Sequence, residues 1–223
     1  MDWTPVWLSL KLSAITTLIL LVTGVPLAWW LSRKNSVPRL LLEALITMPL
    51  VLPPSVLGFY LLLAFSPQNA FGKWLHEKLD LHFVFSFGGL ILASIIYSLP
   101  FMVSPVKSAF VHLPPSMAEA SYTMGKSVRE TLWKVLLPAI RPAILTAVVL
   151  TFAHTLGEFG VVLMIGGSIP GVTKVASIAI YDSVESMNYA HANNYSLVLF
   201  AITFVIVTAV FIINRKPAKS PLG

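Results

Sequence analysis

Residues 119–127 read EASYTMGKS, and from Ala120 onward the spacing is A-x-x-x-x-G-K-S. That is one residue short of G-x-x-x-x-G-K-[ST], the loop whose backbone N–H groups curl around nucleotide phosphates between a buried strand and a helix. Here Pro114 and Pro115 come first, and no apolar strand ending in a magnesium-binding Asp exists outside the long apolar runs. Lys126 and Ser127 therefore read as a surface charge and a helix N-cap. The second chemically capable pair is Glu158 and His154, four residues apart and so on one helical face. An acid beside an imidazole can move a proton, but neither a third partner nor a metal cluster accompanies this pair. His76, His82, His112 and His191 lack metal-ligand spacing and read as water-facing. The chain has no cysteine, which removes thiol nucleophiles, disulfides and iron–sulfur clusters. No metal site, catalytic constellation or cofactor within this chain is expected.

The elements that hold these residues are set by composition. The chain has 223 residues, 57% hydrophobic and 11% charged, with a mean hydropathy of +0.83. Soluble domains carry about 25% charged residues, and one domain of this size could not hide so much apolar surface from water. Lipid must solvate much of the chain. The net charge of +6 then reports topology rather than nucleic acid, which is not expected as a partner.

A bilayer crossing needs about 20 mostly apolar residues. Five segments qualify: 6–31, 40–65, 87–110, 139–165 and 195–213. The opening lacks a basic n-region, and its apolar run is too long for a cleavable leader, so it reads as a first span. With the N-terminus outside, Arg33, Lys34, Arg39, Lys107, Lys126, Arg129, Lys134, Arg141, Arg215, Lys216 and Lys219 all fall inside. Lys73, Lys78 and Lys174 remain outside, with Lys11 near the outer edge of the first span. This is the positive-inside signature, predicting N-out, C-in. Residues 1–213 form one transmembrane domain and 214–223 a basic cytoplasmic tail. Trp3, Trp29 and Trp30 fit interfacial anchors.

The cytoplasmic segment 112–138 reads HLPPSMAEASYTMGKSVRETLWKVLLP. Ser116 and Glu119 have capping-box spacing, predicting a short helix from there to Gly125, which suits a left-handed C′ position. Ser127 and Glu130 form a second capping box, opening a helix to about Leu137, and Pro138 starts the next element. Glu119, Ala120, Ser121, Gly125, Leu137 and Pro138 together resemble the E-A-A…G…I-x-L-P loop of bacterial ABC-importer permeases. Ser121 stands where that pattern has alanine. The resemblance implies a pair of coupling helices that dock into a cleft of a separate ATPase subunit. The alternative is an amphipathic surface helix with no partner.

Two further stretches bear on what passes through. In MPLVLPPSVLGFYLLL, Pro49, Pro53 and Pro54 each remove a backbone donor, so that span cannot be a plain helix. It is either a kink packed by neighbours or a segment lining a pathway, and three prolines within six residues favour the second. In FAHTLGEFGVVLMIGGSIPG, Glu158 is the single acid of its apolar run, about 30 Å along a helix from Pro138. Gly157 and Gly160 flank it and permit close backbone approach. PLVLPP and LGEFG resemble the molybdate and sulfate branch of these permeases, which commonly has Arg where this chain has His154. Glu158 repels a dianion such as molybdate, so it is expected to hold an outer gate or two-fold interface. Otherwise it is a helix-end polar residue facing interfacial water. The turn at Gly166, Gly167 and Pro170 would, by the resemblance, meet a binding protein; otherwise it is a plain connector.

The expectation is an all-α integral membrane protein of about five spans, a MetI-like type I ABC importer permease of the bacterial inner membrane. The resemblance implies molybdate import driven by two ATPase subunits that hold the ATP and magnesium. It also implies a periplasmic or lipoprotein molybdate-binding protein and a second permease chain, identical or else a close paralogue. Sulfate, thiosulfate or tungstate is the alternative cargo. A membrane-embedded enzyme, or a channel without an ATPase, is the alternative of another class.

Overall fold

The computed structural model describes residues 1–33 and 36–214, with the side chain of Asn214 excepted. Lys34, Arg215, Lys216 and Lys219, counted above as cytoplasmic, lie outside the described residues, as does the tail beyond 214. In chain order the helices are α1 (Thr4–Ser32), α2 (Val37–Thr47), α3 (Pro54–Phe65), α4 (Ala70–Leu79), α5 (Phe87–Val111) and α6 (Pro115–Thr123). There follow α7 (Val128–Thr131), α8 (Leu137–Ala139), α9 (Arg141–Gly157), α10 (Gly160–Gly166), α11 (Ala176–Glu185) and α12 (Tyr189–Asn214). A 3-10 turn, Met48–Leu50, follows α2, and a π-helical turn, Leu132–Leu136, joins α7 to α8.

Among the described residues, α1, α5 and α12 are long and apolar enough to cross a bilayer alone. Two bent pairs raise the count to five: Val37–Leu50 with Pro54–Phe65, turning by 112°, and Val128–Ala139 with Arg141–Gly157, turning by 74°. The first bend is the break that Pro49, Pro53 and Pro54 demand, since each lacks the N–H that a continuous helix would use.

α5 is the central post. α1 and α9 pack along it, and α10, α2 and the 3-10 turn also meet it. α1 presents small and hydroxyl side chains inward, including Ser9, Ser13, Thr16, Gly24 and Ala28. A Cβ on Gly24 would lie 2.9 Å from Met102 Cγ, so α1 and α5 approach as closely as glycine allows. One apolar cluster gathers around Leu20, Met102, Val106 and Ile140; a second gathers around Leu12, Leu90, Val161 and Ile165. α12 leaves Phe200, Phe204, Val205 and Phe211 exposed, an apolar flank suited to lipid.

Three details differ from expectation. Glu158 does not sit within a continuous helix, because α9 ends at Gly157 and α10 begins at Gly160. α6 starts at Pro115 with no side-chain cap, so Ser116 and Glu119 form no capping box. Proline at N1 already fixes the helical φ, which places Ser116 inside the first turn. Finally, the helix opened by Ser127 runs on through Pro138 by widening into a π turn, in which the Leu137 N–H reaches the Leu132 carbonyl. The wider turn spares a clash between the proline ring and the carbonyl four residues back.

Candidate functional site

Two places concentrate the chemistry: the break around Glu158 and the hairpin from α6 to α8. At the break, α9 stops because Glu158 takes an extended backbone, φ −57° and ψ 132°. Its side chain is 1% exposed. A bare carboxylate at that depth is costly unless hydrogen-bonded. Ser94 Oγ donates to Oε2, and Ser98 Oγ lies 3.3 Å from Oε1. Ser98 Oγ is also 2.9 Å from His154 Nδ1 and 2.8 Å from Thr155 Oγ1. One hydroxyl carries one proton, so Ser98 can donate to only one of these three at a time.

His154 Nδ1 sits 3.8 Å from Oε1, and the ring stacks on Phe101 with centroids 4.0 Å apart, beside Tyr97 at 4.8 Å. The Glu158 carbonyl accepts from Ser177 Oγ. Side chain and main chain of this one residue thus tie the break to α5 and to the N-terminal turn of α11. A carboxylate so enclosed is a staple rather than a reagent, because attacking or abstracting requires access.

The other broken span meets this one. A Cβ on Gly160 would lie 2.9 Å from Pro54 Cβ, and one on Gly58 would lie 2.8 Å from Met164 Cβ. So α10 and α3 touch backbone to backbone beside the Pro53–Pro54 turn. Pro49 is buried, whereas Pro53 and Pro54 are exposed on the single chain. Gly157 also faces open space, with nothing within 4 Å of an added Cβ.

Outside the spans, Gly166 is buried and its carbonyl accepts from Thr173 Oγ1 at 2.7 Å. Gly167 and Gly171 take φ of +64° and +74°, and Pro170 is exposed. Lys174 Nζ lies 2.6 Å from Asp182 Oδ2, which also accepts from Ser168. Burial pushes the Asp182 carboxyl up, but the hydrogen bonds from Lys174 and Ser168 and the lysine charge outweigh it and hold the group below its ordinary range.

In the hairpin, Gly125 has φ +74° and the Lys126 N–H reaches the Ser121 carbonyl at 3.1 Å, closing α6 as a glycine C′ turn. Ser127 and Glu130 make the reciprocal capping box. The Glu130 carboxyl is held low by the hydrogen bond from Lys134, then by the Ser127 N–H and the charges of Lys134 and Lys126. Glu119, Ala120 and Gly125 are exposed, Ser121 is buried, and Leu137 and Pro138 are half-buried at the root of α9.

Residue patterns alone had not singled out Ser94, Ser98, Ser177 or Thr131. Nor did they pair Glu43 with Lys107, whose ammonium contacts the Glu43 carboxylate between α2 and α5. The available signals were Ser94 and Ser98 one turn apart in an apolar helix, and an acid inside LLLEALI.

Residues 21–216 match the family described as the binding-protein-dependent transport system inner membrane component. The chain belongs to this family. It is therefore a multi-pass inner-membrane permease, the transport subunit rather than an enzyme, and works with a separate ATPase and a substrate-binding protein. The permease is 42% identical to the molybdenum transport system permease protein ModB of Azotobacter vinelandii, over 97% of this chain and 96% of that one. It is 32% identical to the sulfate transport system permease protein CysT of Escherichia coli K12, over 91% of this chain and 73% of that one. Among solved structures, a bacterial ABC transporter importing the acidic polysaccharide alginate superposes with a TM-score of 0.79 at 18% identity, over 97% of this chain and 79% of that one. The MetNI methionine ABC transporter gives 0.72 at 19%, over 95% and 93%. These two likenesses establish the MetI-like fold.

Proposed function

We propose that this permease imports molybdate across the bacterial inner membrane, as one of two identical chains, driven through the hairpin α6–α8 by two ATPase subunits. The observation that carries the reading is the hairpin itself. It offers Glu119, Ala120 and the Gly125 turn to a partner and continues through Leu137 and Pro138 into α9. ATP and magnesium belong to the partner ATPases. Their closure moves the hairpins, and the motion rocks α9 and the spans packed on it between inward- and outward-open states. Molybdate as cargo is supported by the 42% identity to a molybdenum permease, against 32% to a sulfate permease.

The pathway runs beside the paired breaks, where Pro54 meets Gly160, with Pro49 and Pro53 in the same bend and Gly157 and His154 alongside. Glu158 serves the gate by fixing the break. Enclosed by hydroxyls from its own chain, its carboxyl is turned away from a passing dianion, which an exposed carboxylate would repel. Selectivity rests with a periplasmic or lipoprotein molybdate-binding protein, received outside at Gly167 and Pro170 with Gly166 as the buried hinge of that turn. The orientation is N-terminus outside, C-terminus inside.

Titrating molybdate, tungstate and sulfate against the ATPase activity of the reconstituted complex with its binding protein tests the cargo. Half-maximal stimulation is expected at least about tenfold lower for molybdate than for sulfate, a difference of about 1.4 kcal/mol. Preference for sulfate would reassign the substrate.

A further inference from the structure

The hairpin has almost no core of its own. The one buried side chain of α6 is Ser121, 4% exposed, and the one buried side chain of α7 is Thr131, 0% exposed. None of Leu132–Leu136 is buried. A groove of about 250 Å³ runs between the helices, lined by Met117, Ala120, Met124 and Val135 among others. Beside it the two buried hydroxyls meet directly, Ser121 Oγ to Thr131 Oγ1 at 2.8 Å, and either can donate. The Ser121 carbonyl is meanwhile held by Lys126 N–H in the Gly125 turn. Ser121 is thus fixed to the turn by its main chain and to the far helix by its side chain.

α6 packs on α7 and on the π turn. Apolar contact is non-directional, and two helices so joined can slide; a hydrogen bond fixes both distance and direction. Thr131 is also the last residue before the π turn, from which the chain runs to Ala139 and bends at Ile140 into α9. A displacement of α6 can therefore reach α9 without loss only if this contact holds.

We propose that the Ser121–Thr131 hydrogen bond is a positioning joint that makes α6 and α7 move as one body and so delivers the ATPase stroke to α9. The proposal rests on the reading that this hairpin docks on the ATPase. It assigns Ser121 and Thr131 to coupling, and leaves docking to the exposed face at Glu119 and Ala120.

The test is molybdate imported per ATP hydrolysed, measured in proteoliposomes with the cognate ATPase and binding protein. Ser121→Ala and Thr131→Val each strand one buried hydroxyl, and each should lower the ratio about fivefold while the ATPase still co-purifies. Thr131→Ser keeps the hydroxyl and should stay within about twofold of the parent. A parental ratio in Ser121→Ala or Thr131→Val overturns the proposal, as does an equal loss in Thr131→Ser and Thr131→Val.

The chain has no cysteine, so a Ser121→Cys, Thr131→Cys double variant gives a second, independent reading. Oxidation should bridge the pair and preserve import per ATP. Import lost on oxidation and regained on reduction would show that the helices must part, and failure to bridge in an assembled complex would show that the side chains do not face each other. Either result refutes the joint even if the single variants do not assemble. The docking reading fails separately, if the parent permease does not co-purify with the ATPase or if Glu119→Lys leaves that association unchanged.

Discussion

Glu158 shows how an acidic side chain is held deep in an apolar interior. Both carboxylate oxygens meet serine hydroxyls of α5, and its carbonyl meets Ser177. Replacing it with glutamine keeps the shape but sets an NH2 donor where a carboxyl oxygen accepts from a serine hydroxyl, at a cost of about 1–3 kcal/mol. Glu158→Gln should therefore lower molybdate uptake about tenfold or more in reconstituted vesicles and reduce the ATPase response to loaded binding protein. Unchanged uptake with unchanged coupling would remove Glu158 from the gate. The acid itself stood out in the sequence, as any lone charge in an apolar run does. Its partners did not, because Ser94 and Ser98 lie about sixty residues away and serine is ordinary in membrane helices.

At the scale of elements, the broken spans are held by close backbone contact at some glycines and by none at others. A methyl on Gly160 would meet Pro54 Cβ at 2.9 Å, and the proline ring cannot rotate away. Gly160→Ala should destabilise the permease by about 1–3 kcal/mol, read as a lower midpoint of thermal unfolding in detergent. A parental midpoint would contradict this packing. Gly157→Ala meets nothing within 4 Å and should leave the midpoint of the single chain unchanged to within about 0.5 kcal/mol. If the parent runs as a dimer on size-exclusion chromatography and this variant as a monomer, Gly157 marks a contact between two permease chains.

The proline break of the second span was legible because proline's missing N–H is a local fact. The break at Glu158 was not, since LGEFG contains no proline and the chain parts there only because α5 and α11 supply partners. The same division runs through the hairpin. Gly125 and the Ser127–Glu130 box follow from local chemistry, whereas the Ser121–Thr131 contact exists only once two helices have folded together. Glu43 and Lys107, 64 positions apart, are a third case of pairing that no local spacing announces.

For the whole molecule, topology is the first consequence. Arg33 and Arg39 lie over Trp29 and Trp30, at 5.0 and 4.4 Å from the ring centroids, as interfacial anchors would at a membrane face. α4, with Phe71 and Trp74 exposed on one flank and Lys73 paired to Glu77 on another, suits the outer interface. Because the chain lacks cysteine, single cysteines report sidedness directly. Glu77→Cys should react with an impermeant maleimide on intact spheroplasts, and Lys126→Cys only after the membrane is opened. The reverse pattern would invert the orientation.

The central claim is that this chain carries molybdate and draws its energy through the hairpin from a separate ATPase. Uptake of labelled molybdate into proteoliposomes holding permease and ATPase, with binding protein outside and ATP inside, tests it most directly. Accumulation should require ATP and be lost with Glu119→Lys and Gly125→Val, variants that disrupt the proposed docking face and the φ +74° turn. Uptake that persists without ATP, or that survives both substitutions at the parental rate, would contradict it.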